Sequence, residues 1–238
     1  MRVLSSIKPY LDLCRVSNLP TVWTNVLTAL VVSGAGFKWS NLLILSFSMS
    51  LFYSGGMCLN DLCDAEVDRI HKAFRPIPSN RISTQGVRVF AVFLFGVGLA
   101  LLLLLPFPRA FYAGLFLLLL IIVYDEVHKR NPVSIFLMAG CRLLVFAVSA
   151  MAVTGTVGLN AWIAGSTQFI YILALSLVAR YENTRSVGFP FPIIPWMLAC
   201  ICLVDGMVMA VLVSPVWLIT GFLGVILTRL GQRCIRGD

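Results

Sequence analysis

Four acids stand within nine residues in Asn60-Asp61-Leu62-Cys63-Asp64-Ala65-Glu66-Val67-Asp68, directly after an apolar stretch. On a helix each residue advances about 100°, which brings Asp61, Asp64 and Asp68 within about 60° of one another. Glu66 turns away from that face. Three carboxylates converging in this way repel one another unless a cation sits between them. Hydrocarbon does not tolerate bare carboxylates, so acids at the end of an apolar span point to a site. Oxygen ligands suit a hard ion such as Mg²⁺, which commonly joins carboxylates to a substrate's phosphates. The expected metal ligands are Asp61, Asp64 and Asp68, with Asn60 beside them.

Basic residues follow at once, in His71-Lys72-Ala73-Phe74-Arg75-Pro76-Ile77-Pro78-Ser79-Asn80-Arg81. Two prolines fix φ, and Asn80 stands where a turn calls for the left-handed conformation. Such a turn is expected to hold Lys72, Arg75 and Arg81 near the acids. Cations beside a metal-binding acid cluster match the needs of a diphosphate, whose charge one Mg²⁺ does not neutralise. For each single basic residue, the competing cause is the ordinary excess of positive charge in cytoplasmic loops.

The elements that must position these residues are membrane spans. Hydrophobic residues make up 59% of the 238-residue chain and charged residues 12%, with a mean hydropathy of +0.94. A soluble domain carries roughly 25% charged residues. About 20 apolar residues cross a bilayer, and eight spans are expected near 18–36, 40–59, 85–105, 109–125, 133–154, 161–180, 191–212 and 214–230. They form one polytopic domain over 1–238, preceded by an interfacial amphipathic helix over 5–17 and with no cleavable signal peptide. All Lys and Arg except Lys38 and Arg109 then fall on one face. That asymmetry predicts that both termini and the acidic loop are cytoplasmic. The net charge of +8 is spread over loops between spans, which argues against nucleic acid. The seven cysteines form no CxxC pair, so neither a zinc site nor a disulfide framework is implied.

The acid run and its Arg-Pro turn resemble the UbiA-type intramembrane prenyltransferases. The first motif of that family, NDxxDxxxD, is complete at Asn60, Asp61, Asp64 and Asp68, and the RPxPSG-like turn matches at Arg75 to Ser79 with Asn80 in place of Gly. Arg15, Asn18-Leu19-Pro20 and Asn25 look like the family's first span. The resemblance implies an all-α membrane fold of nine helices around a central cavity. It also implies Mg²⁺-dependent transfer of a prenyl group from a prenyl diphosphate to a lipophilic acceptor such as an aromatic ring. The implied chemistry is ionisation to an allylic cation, followed by attack from the acceptor.

Later motifs depart from the pattern. The YxxxK element reads Tyr124-Asp125-Glu126-Val127-His128-Lys129, with Lys one place late. Tyr124 is expected to face the ionising carbon, Lys129 to hold a phosphate oxygen, and His128 to be structural. Where the family carries its second pair of Asp, this chain has Arg180 and Thr184, and Glu182 is the acid left. Arg180 and Arg185 are expected to replace a second metal ion, since Arg grips phosphate bidentately. Arg142 lies about two turns inside a span, where a bare charge costs a few kcal/mol, and is expected to face the cavity and meet phosphate or an acid. Asp205 sits mid-span and receives no catalytic role. Ser134, Arg142 and Ala179-Arg180-Tyr181-Glu182 look like the EboC-type branch of the superfamily. The altered second motif keeps an alternative open, a non-catalytic carrier of a lipid-linked or diphosphate ligand. Clear internal pseudo-symmetry, common in transporters, is faint here.

Overall fold

Helix ends in this chain are set by a few residues. Gly34 and Gly155 adopt positive φ and stop two helices. Ser83 caps a third by accepting a hydrogen bond from the Gly86 amide. The computed structural model describes residues 2–128, 131–184 and 191–235. Among the described residues there are nine α-helices and no strand. They are α1 (Arg2–Leu13), α2 (Leu19–Ser33), α3 (Trp39–His71), α4 (Thr84–Leu102), α5 (Ala110–Val127), α6 (Ser134–Thr154), α7 (Leu159–Thr184), α8 (Ile193–Leu212) and α9 (Leu218–Cys234).

Seven of them, α3 to α9, are long and apolar enough to cross a membrane. The eighth expected span is present as α2 but has only 15 residues. At 1.5 Å per residue it is about 22 Å long, short of the roughly 30 Å hydrocarbon core. A 3₁₀ turn at Val16–Asn18 shortens it at one end and Gly34 at the other. Ten of its residues are buried. It packs against α3, α6, α7, α8 and α9, and so lies inside the bundle rather than on its lipid face. The interfacial helix also ends early, at Leu13, because Arg15 takes a left-handed conformation (φ 46°). α1 then lies along the bundle, with Tyr10 edge-on to Phe90 of α4 at 5.5 Å.

α3 outlasts its expected span. It runs 33 residues to His71 rather than stopping near residue 59. No proline interrupts the stretch before Pro76, and Leu62, Ala65 and Glu66 are strong helix formers. Its length of about 50 Å carries the acid motif beyond the hydrocarbon core. The main core joins α2, α3, α4 and α5 around Val26, Met49, Phe52, Leu94 and Leu117.

α8 and α9 approach closely through glycines. A Cβ on Gly206 would stand 2.9 Å from the Gly221 Cα, and one on Gly221 would stand 2.9 Å from the Cys202 carbonyl oxygen. The obstacles are main chain and have no rotamer to change. Gly221→Val is therefore expected to destabilise the bundle by about 1–3 kcal/mol, read as a lower thermal midpoint in detergent. An unchanged midpoint would mean that the two helices do not touch there.

Candidate functional site

The helical spacing places the acids of α3 as expected on one face, but with bases among them. Asp61 and Asp68 are buried, at 4% and 5% exposure. The Arg75 guanidinium lies between them, donating through Nη1 to Asp68 Oδ2 at 2.6 Å and to Asp61 Oδ1 at 3.2 Å. Arg15 reaches the same Asp61 oxygen through Nη2 at 3.0 Å, while its Nη1 lies 2.9 Å from Met57 Sδ. Asp64, one turn on, faces His128 Nε2 at 3.1 Å. Each of the three acids is thus met by a basic or imidazole group, Asp61 and Asp68 by Arg75 and Asp64 by His128. A guanidinium stands between Asp61 and Asp68 because the Arg75 turn folds back onto α3. Among the described residues no three acid, His or Cys side chains form a ready cage.

That turn has the expected shape. Asn80 is left-handed (φ 56°), and the Ser79 amide donates to the Arg75 carbonyl at 3.0 Å. Arg81 does not join the acids. It is exposed, donates to Ser79 Oγ and the Phe74 carbonyl, and lies 3.8 Å from Asp12, so its work is to tie the turn to α1. Lys72 is exposed and ends α3.

The end of α5 closes over this face. Asn60 Nδ2 donates to Asp125 Oδ1 at 3.1 Å, and Asp125 Oδ2 is buried without a partner. His128 Nδ1 lies 2.9 Å from the Asp125 carbonyl, and its ring stacks on Tyr124 at 5.3 Å. The Tyr124 hydroxyl points to Met138 Sδ at 3.6 Å. His128, four residues after Tyr124, thus holds the position that Lys takes in YxxxK, and it meets Asp64. Lys129 and Arg185 lie outside the described residues. Arg180 donates to Ser134 Oγ at 3.2 Å, and that hydroxyl in turn reaches the His128 carbonyl at 3.4 Å. Among the described residues Arg180 is therefore connected to the acid face through α5, and Glu182 is half-buried nearby on α7.

Asn25 and Arg142 belong to a second, deeper cluster. Arg142 donates to Asn25 Oδ1 at 2.8 Å and to Thr21 Oγ1 at 3.2 Å, and its guanidinium lies 5.9 Å from the Tyr53 ring centre. Asn25 Nδ2 donates to Asp205 Oδ2 at 2.7 Å, and Gln168 Nε2 donates to Asp205 Oδ1 at 2.8 Å. Arg142 therefore reaches an acid only through Asn25. Asn25 and Arg142 thus bond to Thr21 on α2 and Asp205 on α8 rather than to the acids of α3.

Sequence reasoning missed Arg15, Asp125 and His128 as members of the acid face. The signal for His128 was its i+4 spacing from Tyr124. Nothing local marked Asp125, since its partner is 65 residues away. An apolar groove of about 690 Å³ runs between α2, α3 and α9, lined by Leu19, Trp23, Leu43, Phe47 and Leu223, with Ser54 among its polar edges. Ser54 lies seven residues, about 10 Å, from Asp61 along α3.

A sequence profile of the UbiA prenyltransferase family matches residues 19–228. A digeranylgeranylglyceryl phosphate synthase of Methanococcus vannielii is 31% identical over 182 residues, 74% of this chain and 63% of its own length. One from Sulfolobus acidocaldarius is 35% identical over 141 residues, 56% of this chain and 49% of its own length. The chain thus spans about half to two thirds of the length of these relatives. Among solved structures, a UbiA homolog from Archaeoglobus fulgidus bound to GPP and Mg²⁺ superimposes with a TM-score of 0.63 at 15% identity, covering 95% of this chain and 86% of that one. An apo UbiA homolog from Aeropyrum pernix gives 0.61 at 12% identity, covering 91% and 97%.

Proposed function

Because this chain belongs to the UbiA prenyltransferase family, we propose that it is a multi-pass membrane enzyme that transfers a prenyl group from a prenyl diphosphate to a lipophilic acceptor. The observation that carries the reading is the clasped acid face. Four carboxylates (Asp61, Asp64, Asp68, Asp125) meet two guanidiniums at one end of an apolar bundle. These six groups carry a formal excess of two negative charges. An oxygen-rich, electronegative pocket suits Mg²⁺, which binds through one or two carboxylates plus phosphate oxygens and needs no all-protein cage. Asp61, Asp64 and Asp68 are the acids that would hold it, with Arg75 released toward phosphate. When bound, the ion neutralises the diphosphate and makes it a better leaving group.

In this reading Arg15 and Arg75, with Lys72 and Arg180, receive the charge that builds on the departing diphosphate, and Lys129 and Arg185, outside the described residues, are assigned the same role. The C1–O bond of the donor breaks, and its electron pair leaves with the diphosphate. The allylic cation lies near Tyr124, whose ring stacks on His128. The acceptor's nucleophilic atom forms the new bond and gives up its proton. The apolar groove beside Trp23 and Phe47 takes the hydrocarbon part of a substrate and excludes water. The named relatives are synthases, which favours this reading over a carrier. Both termini and the acid face lie on the cytoplasmic side in this reading, since the charged helix ends gather there.

The test uses the protein in inverted and right-side-out vesicles supplied with geranyl or geranylgeranyl diphosphate, Mg²⁺ and a panel of lipid and aromatic acceptors. Prenylated product is expected from inverted vesicles alone, falling to background with EDTA and returning with added Mg²⁺. Product that persists under EDTA sinks the metal assignment. Activity confined to right-side-out vesicles reverses the orientation. No product with any acceptor removes the enzyme reading.

A further inference from the structure

Asp125 is the acid that neither motif supplies. It sits in the last turn of α5, 4% exposed, facing the acid end of α3. One carboxylate oxygen takes the Asn60 amide at 3.1 Å, and the other has no partner among the described residues. Leaving a buried acceptor in this state is costly, and more so when it is charged. The donors around it are already engaged. His128 faces Asp64 with one ring nitrogen and the Asp125 carbonyl with the other. The Tyr124 hydroxyl is turned to Met138, and the Arg15 guanidinium lies against Asp61 and Met57. Among the described residues no donor is bonded to this oxygen, and a hydrated cation would satisfy it.

The same acid answers the gap on α7. There Arg180 and Thr184 stand where two acids are expected, and Arg180 is directed to Ser134. His128 joins the two elements, its Nε2 3.1 Å from Asp64 Oδ1 and its Nδ1 2.9 Å from the Asp125 carbonyl, while Asn60, one turn before Asp64 on α3, holds the Asp125 carboxylate. We propose that Asp125 is a ligand of the divalent cation that accompanies the diphosphate, taking with Asp64 the part of the acids missing from α7. This rests on the diphosphate reading above and names the ligand set of that site. Asn60 is then a positioning residue, since its amide leaves Asp125 only one oxygen to offer.

Manganese provides the probe, because its bound and free forms separate by electron paramagnetic resonance. The full chain in detergent is titrated with Mn²⁺ at fixed inorganic pyrophosphate, as wild type, Asp125→Asn and Asp64→Asn. Asp125→Asn keeps an oxygen for Asn60 and loses only the charge. It is expected to weaken Mn²⁺ binding about ten- to a hundredfold. Its metal-free thermal midpoint is expected to equal or exceed that of wild type, because an uncompensated buried charge is gone. Wild-type Mn²⁺ affinity in Asp125→Asn, together with loss in Asp64→Asn, overturns the assignment and leaves the diphosphate reading standing. A lowered midpoint in Asp125→Asn makes the residue structural and also overturns it. Absence of Mn²⁺–pyrophosphate binding by wild type overturns both readings.

Discussion

Arg75→Ala is expected to cost about 3–5 kcal/mol, the usual result of removing one partner from a buried ion pair. In a chain of this size that corresponds to a fall in thermal midpoint on the order of 10 °C. The reason lies in the arrangement of charges. Arg75 has 9% side-chain exposure, Asp61 5% and Asp68 7%, so water screens little of the interaction. Asp61 retains Arg15 after the substitution, but Asp68 has no second basic partner among the described residues. The loss therefore falls mainly on Asp68, and adding Asp68→Asn to Arg75→Ala is expected to recover most of it. The deletion also removes the group that stands between two carboxylates. Millimolar Mg²⁺ is then expected to raise the midpoint of Arg75→Ala more than that of wild type, by mass action on the folded state. A midpoint within a degree of wild type, or no difference in the response to Mg²⁺, would show that Arg75 does not neutralise this face.

The acid face was legible because it repeats one residue type at helical spacing, and a carboxylate at a span's end is costly unless something charged meets it. The Arg-Pro turn was legible because Pro76, Pro78 and Asn80 constrain φ directly, and Asn80 is indeed left-handed. What was not legible depends on chain reversal. Arg15 meets Asp61 only because a left-handed residue breaks the N-terminal helix, and Arg is a poor signal for such a break. Asp125 meets Asn60 because α5 returns beside α3, and no local pattern records that register. The place of α2 was hidden for another reason. Thr21, Thr24, Asn25 and Thr28 are all buried. They line the inner side of a helix that packs against five others. Arg142 and Asp205 each stood out as intramembrane charges, but their link runs through Asn25, 117 residues from one and 180 from the other.

That link makes the interior cluster a sensitive test of the bundle. Asn25 accepts from Arg142 on its oxygen and donates to Asp205 from its nitrogen, so its amide has only one workable orientation. Asp205 is fully buried and accepts from both Asn25 and Gln168. Removing its carboxylate strands two amide donors and leaves Arg142 without a nearby counter-charge. Asp205→Ala is expected to cost about 3–5 kcal/mol, comparable to breaking a buried ion pair. Arg142→Ala is expected to cost less. It frees the Asn25 oxygen and leaves Asp205 with both of its amide donors. Because each charge offsets the other through Asn25, the double variant is expected to be more stable than the sum of the singles predicts. The coupling should be about 1 kcal/mol or more, measured from thermal midpoints in a double-mutant cycle. Costs that add to within about 0.5 kcal/mol would mean that Asn25 transmits nothing. Arg142 would then be balanced by groups other than Asp205, and α2 would be held in the bundle by packing alone.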